Sequence, residues 1–343
     1  MMWLSAPRLQ AKGVIKIAIK RRSWLRFIVF LFILAGPFPV DTPHLYCRAG
    51  LQEDRGIKYT RNYSRKDYNN ESQNWSIVQD KRGVIYTGNQ GGVMEFDGVS
   101  WREIPVPNKT ARSLAVDDNG IIYVGGMDEI GFLAPDSEQK LQYVSLIPQL
   151  DKQYRDFSYV WRTHAAKESV YFCTSKFLFL WNGNKIKTWT ANPGTSFSPP
   201  FLCAGKLYTR QKDAGLLVLE NNSFEAIPGG KEFASKKIYM MANFEPGKIL
   251  IGAQTDGFYL YDGVKATPFA ADRLNVIKEY YLTHGIRLSS GDFALATFRG
   301  GLFIIDSRGS VKYVFDKSSG LQDNTVWYVF EDFQGNLWLA LDK

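Results

Sequence analysis

Residues that could carry chemistry are sparse in this chain and do not group. The histidines are His44, His164 and His284. They lie far apart, and none has a second ligand at metal-binding spacing. The chain holds no HExxH, no GxSxG and no phosphate-cradling glycine loop. The "GNQGG" of Gly88–Gly92 joins two strand-like runs and lacks the context of a dinucleotide fingerprint. Cys47, Cys173 and Cys203 show no CxxC spacing, and an odd count forbids a fully paired set. Cys173 and Cys203 fall in apolar strand-like runs and read as buried free thiols, with a bridge as the alternative. Asp117 and Asp118 read as turn formers rather than calcium ligands. No catalytic residue, metal or cofactor is expected. What remains is a scatter of polar and aromatic loop residues, and only the fold can say whether they converge.

A repeat supplies that fold. Gly83–Gly98 "GVIYTGNQGGVMEFDG" aligns with stretches opening at Gly120, Glu168, Gly205, Gly247 and Gly291, and "GNLWLALDK" from Gly335 opens another. Each has a turn residue, a strand-forming run, a short polar or Gly loop, a second apolar run and an Asp/Asn/Gly turn. The period is about 42 residues, that of a four-stranded β-propeller blade. Two further strands flank each hairpin. Inner ones include "NWSIVQD" (Asn74–Asp80), "RSLAVDD" (Arg112–Asp118) and "VWYVFED" (Val326–Asp332). Outer ones include "SWREIPV" (Ser100–Val106) and "VKYVFD" (Val311–Asp316). No helical periodicity follows residue 40. The expectation is an all-β, seven-bladed propeller over residues 51–343, six blades complete and the seventh truncated. The rivals, a β-sandwich and a parallel β-helix, do not repeat at this length.

Charge narrows the partners. The net charge is +8, but seven of the 42 Lys and Arg lie in residues 1–26, which hold no acid. The rest carries 35 basic and 34 acidic residues, so the electrostatic footprint of a nucleic-acid binder is missing and no such contact is expected. The basic head precedes "FIVFLFILA" (Phe27–Ala35) and then Gly36, Pro37 and Pro39. That order reads as a secretory signal with cleavage between residues 40 and 50, or else an uncleaved anchor. Residues 1–50 are therefore assigned to a leader or anchor with its linker, and the propeller to the periplasmic side.

With the blades in place the family pattern is legible. "NTVWYVFEDFQGNLWLAL" (Asn324–Leu341) resembles the two-component-regulator propeller repeat. Asn324, Val326, Asp332, Gly335, Leu337 and Trp338 match, and Ala340–Leu341 depart from the usual Gly-Thr. Asn62–Asn108 resembles the opening of bacterial regulator propellers that carry a triple-tyrosine domain, as Ala111–Gly120 does in outline. The resemblance covers roughly residues 57–343. It implies an exported sensor whose propellers lead to a triple-tyrosine β-sandwich, an inner-membrane span and a kinase or helix-turn-helix output. Some members of that family sense oligosaccharides, and the full-length protein could act as a homodimer. None of the downstream parts is present here.

Propeller topology gathers the loops between the second and third strands, and those entering each blade, around one mouth of the channel. Asp156, Trp161 and Arg299 are the leading candidates there, with Asn89, Arg112, Asp128, Glu129, Asp256, Tyr239 and Tyr280 beside them. Convergent polar groups with aromatics suit an oligosaccharide or another small ligand. The expected function is non-catalytic sensing. The alternatives are a carbohydrate-active lyase or glycosidase, for which Asp128, Glu129 and Asp256 are the rim carboxylates to test, or an inert truncated product. The ending "EDFQGNLWLALDK" reads as the first two strands of the seventh blade, its third missing. Ile57–Ser64 is expected as its outer strand, and the protein is expected to continue.

Overall fold

Short apolar runs broken every few residues by Asp, Asn and Gly can bury their surface only by stacking as sheets. The computed structural model describes residues 13–18, 59–167 and 169–342, apart from the side chains of 13–18 and 271–273. Six continuous stretches, 74–104, 111–145, 162–190, 201–226, 238–268 and 282–315, each form a four-stranded antiparallel blade with strands in chain order.

One more sheet fills the gap between the last and the first of these. It consists of Val326–Glu331, Asn336–Leu341, Gly13–Ala18 and, outermost, Thr60–Ser64. Val326–Glu331 packs between Leu282–Arg287 and Asn74–Gln79, which closes the ring. The truncated blade expected from the sequence is thus corrected. Six blades are continuous in sequence, and the last sheet is composite rather than cut short. Its third strand is Gly13–Ala18, which pairs Val14 opposite Ala340 and opposite Tyr63. Thr60–Ser64 is the outer strand, within the Ile57–Ser64 segment named from the sequence. Phe27–Ala35, the cleavage interval, His44 and Cys47 lie outside the described residues.

Two devices recur around the ring. The first is an Asp that accepts hydrogen bonds from the N–H groups of its own turn and from an aromatic six residues on. Asp332 accepts from Gln334 N, Asn336 N and Trp338 Nε1. Asp80 accepts from Arg82 N, Val84 N and Tyr86 Oη, and Asp117 from Asn119 N, Ile121 N and Tyr123 Oη. The glycines of these turns, Gly83, Gly120 and Gly335, have φ of 89°, 86° and 79°, where a β-carbon would be strained. Asp117 is accordingly a turn former.

The second device is a core lying between sheets rather than inside one. Leu302, Ile304 and Phe315 pack on Val329, Leu337 and Leu339, and Val93 and Ile104 on Leu114 and Val124. At the composite sheet Tyr63 stacks on Trp338 at 5.8 Å and meets Phe96 edge-on at 5.1 Å. Cys173 and Cys203 are buried free thiols.

The expected absence of helix is also corrected. Residues 271–280 form a helix between the fifth and sixth blades. It buries Leu274 and Ile277 against Phe269 and Phe303, a stripe too narrow to register as periodicity. No helix among the described residues is long and apolar enough to cross a membrane.

Candidate functional site

The inner strands begin at one mouth of the ring, and five of them begin with a register shift. The shifts fall between Asn74 and Ser76, Ala111 and Ser113, Ile238 and Met240, Leu282 and His284, and Val326 and Tyr328. Such a bulge leaves one residue unpaired and re-aims its side chain. The residues so released are Trp75, Arg112, Tyr239, Thr283 and Trp327, and all five line one recess of about 380 Å³. Trp161, Arg162, Arg210, Lys237 and Tyr328 complete its wall, with Ser175 and Ser196–Pro199. A larger recess of about 610 Å³ lies elsewhere, around Lys206, Asn243 and Arg287. Its Lys206 and Lys248 are already paired with Glu220 and Glu245, so the smaller recess is the better site.

Aromatic faces and cations alternate around the wall. The guanidinium carbon of Arg112 lies 3.3 Å from the ring centre of Trp75 and 4.9 Å from that of Trp161. Trp75 and Trp327 are 5.7 Å apart, and Arg162 sits 5.6 Å from the ring of Tyr328. Trp161 is 39% exposed yet held in place, because its Nε1 donates to Ser175 Oγ at 2.9 Å. Trp327 Nε1 donates to Asp342 Oδ1 at 3.0 Å, which also accepts from Gln73 Nε2 at 2.7 Å. Burial pulls the Arg112 guanidinium down to about 10, and the neighbouring Arg162 pulls in the same direction. Arg210 is buried and donates to Phe233 O at 3.1 Å and to Ala234 O.

Deeper in the channel two histidines are neutral at physiological pH. His164 Nε2 donates to Pro200 O at 2.8 Å, and burial lowers its pKa to about 4. His284 stacks on Tyr328 at 4.0 Å and is also held low by burial, with Arg162 adding to the effect.

Of the residues singled out from the sequence, Arg112, Trp161 and Tyr239 come together in this recess. Arg299 does not line it. Its guanidinium lies 5.2 Å from the Tyr281 ring and 5.9 Å from Phe298, which in turn contacts Trp327. Asp156 is an exposed partner of Lys176 at 3.3 Å. Tyr280 stacks on Phe303 at 5.8 Å.

The others serve the scaffold. Asn89 is buried and donates to Glu71 O and Asn74 Oδ1. Asp128 Oδ1 accepts from Phe157 N and Ser158 N. Glu129 accepts from Tyr143 and Ser145, both at 2.9 Å. Asp256 lies by a separate small recess with Lys278. The carboxylates of Asp128 and Glu129 are therefore already engaged by neighbouring backbone and hydroxyl groups. In sequence Trp75 and Trp327 lie in strand-like runs and read as packing between blades, with ring stacking on a ligand as the alternative, while Tyr328, Arg162, Arg210 and Lys237 carry no signal of a site. Aligning the second residue of each inner strand would have exposed the column Trp75, Arg112, Tyr239, Trp327.

Comparison with known proteins agrees with this architecture. The two-component regulator propeller family matches residues 320–343. Comparison with curated proteins gives no match. Among solved structures, the chain is similar to the extracellular domain of a B. thetaiotaomicron signalling protein. That domain is described in one structure as a one-component system (TM-score 0.62, 17% identity) and in another as a hybrid two-component system (TM-score 0.59, 16% identity). In both cases 79% of this chain and 37% of the other is covered, so the chain spans little more than a third of those domains. It is also similar to virginiamycin B lyase from Staphylococcus aureus, with TM-score 0.54 and 9% identity, over 78% of this chain and 94% of that one. At these identities the structural likenesses speak to the fold alone. The chain is an all-β propeller that carries the two-component-regulator propeller repeat.

Proposed function

We propose that this chain is the ligand-sensing propeller of a bacterial regulator, placed on the extracytoplasmic side of the membrane and without catalytic activity of its own. The observation that carries the reading is the set of bulges that turns Trp75, Arg112, Tyr239, Thr283 and Trp327 into one central recess. Bulges leave ladder positions unpaired, and here they furnish a concave site of the size, aromatic content and convergent polarity of a small-ligand pocket. The family repeat and the regulator-like fold support the signalling context, and through it the location. A membrane-borne output and a second copy of the protein are the partners proposed for the full-length regulator.

Trp161 is the residue to test, because its indole is fixed by Ser175 and the side chain remains partly exposed in the recess. Calorimetric titration with disaccharides should give saturable binding, weakened at least about ten-fold by Trp161→Ala, a loss of about 1.4 kcal/mol, the scale on which a planar ring stacked on an aromatic side chain contributes to binding. Binding indifferent to Trp161→Ala would move the site elsewhere. New reducing ends or unsaturated products would make the chain an enzyme.

A further inference from the structure

The recess has cations but no anion. Arg112, Arg162, Arg210 and Lys237 line it, and among the described residues no Asp or Glu does. Arg210 is provided for by backbone carbonyls. Arg112 and Arg162 are not. Neither makes an ion pair or donates a guanidinium hydrogen bond to another described residue, and both rest on aromatic faces. Arg162 Nε and Trp75 Nε1 are shielded from solvent and have no hydrogen-bond partner among the described residues. Two neighbouring guanidinium groups without a counter-charge repel each other and leave buried donors unmet, a cost that a bound anion would remove.

We infer that the recess takes a ring compound bearing an oxyanion, an acidic sugar, with its carboxylate or sulfate held between Arg112 and Arg162 and its ring laid on Trp161. This rests on the reading of the recess as a ligand site. An arginine fork fits either oxyanion in a bidentate manner, while a neutral sugar would leave the donors unmet. The aromatic wall suits a sugar ring, whereas a free inorganic anion would leave it bare.

The test is calorimetric titration of the full chain with digalacturonate, galactose 6-sulfate, neutral galactobiose and sodium sulfate alone. Digalacturonate or galactose 6-sulfate should bind at least about ten-fold more tightly than galactobiose or sulfate, with affinity falling as salt rises. Which of the two binds distinguishes a carboxylate from a sulfate site. Arg112→Met and Arg162→Met should each abolish the preference for the charged sugar, and Arg112→Lys should restore it only in part. Thermal melts of each variant separate lost binding from lost folding, and Arg112→Lys keeps a folded comparator if the methionine variants fail. Galactobiose binding as tightly as digalacturonate, with dependence on Trp161 but not on Arg112, would overturn the anion assignment and leave the ligand site standing. Sulfate alone binding as tightly as the charged sugars would overturn the ring. Absence of binding in every arm would overturn both.

Discussion

The guanidinium of Arg112 lies 3.3 Å from the indole centre of Trp75, and each residue reaches the central recess from a bulge in a different blade. The stack joins two adjacent inner strands at the point where ladder pairing has been given up. In a partly desolvated setting such a contact is worth up to about 2 kcal/mol. A double-mutant cycle of Trp75→Leu and Arg112→Met in urea unfolding should therefore return a coupling of about 1–2 kcal/mol. A coupling near zero would mean that the recess wall is held by its strands alone.

Asp332 organises the turn before Asn336–Leu341. It is 5% exposed and accepts from Gln334 N, Asn336 N, Asn336 Nδ2 and the Trp338 indole. Asp332→Ala should strand several of these donors in a buried position and cost roughly 2–4 kcal/mol. Asp332→Asn keeps an acceptor and should cost less. Chemical denaturation of the two variants checks the ranking, and equal losses would show that the turn needs the charge.

The repeat is legible in the sequence because its turn chemistry is. Asp80, Asp117 and Asp332 each stand six residues before an aromatic, and turn glycines punctuate the chain at a regular interval. The mouth is less legible. Alternation assigns faces only while the ladder is regular, and the bulges at Trp75, Arg112 and Trp327 shift the pattern just where the site is built. Trp75 and Trp327 therefore read as blade packing. Loop polarity misleads in the opposite direction, since Asn89, Asp128 and Glu129 spend their polar atoms on neighbouring backbone and hydroxyl groups. Outer strands such as Leu141–Ser145 and Ala266–Pro268 are half-exposed and carry little hydrophobic signal.

The channel histidines set an acid limit. Burial depresses both His164, to about 4, and His284. Below the unfolded value of about 6.5, the unfolded chain binds protons that the folded chain refuses. Stability should therefore be highest above that value and fall as pH drops toward 4, by at most about 1.4 kcal/mol per pH unit for each histidine. Urea midpoints at pH 7, 6 and 5 check the direction. His164→Gln should flatten the slope, and an unchanged slope would place its cause in other groups.

Gly13–Ala18 stands between Asn336–Leu341 and Thr60–Ser64 and bonds to both. Without it those two strands have no direct pairing, and the buried Asn336–Leu341 presents an unpaired edge. Tyr63 would then depend on its packing with Trp338, Phe96 and Trp101. A chain lacking residues 1–40 should thus melt lower than the full chain, by about 1.5 °C for each 1 kcal/mol lost, since the unfolding entropy is roughly 2.1 cal/mol/K per residue. It should also gain a tendency to self-associate through the open edge. The same residues precede the apolar run Phe27–Ala35, so export with cleavage beyond residue 40 would remove them. N-terminal sequencing of exported protein decides between the two uses. A mature start beyond residue 40, with Tm unchanged by the deletion, would show that Asn336–Leu341 takes its neighbour from elsewhere.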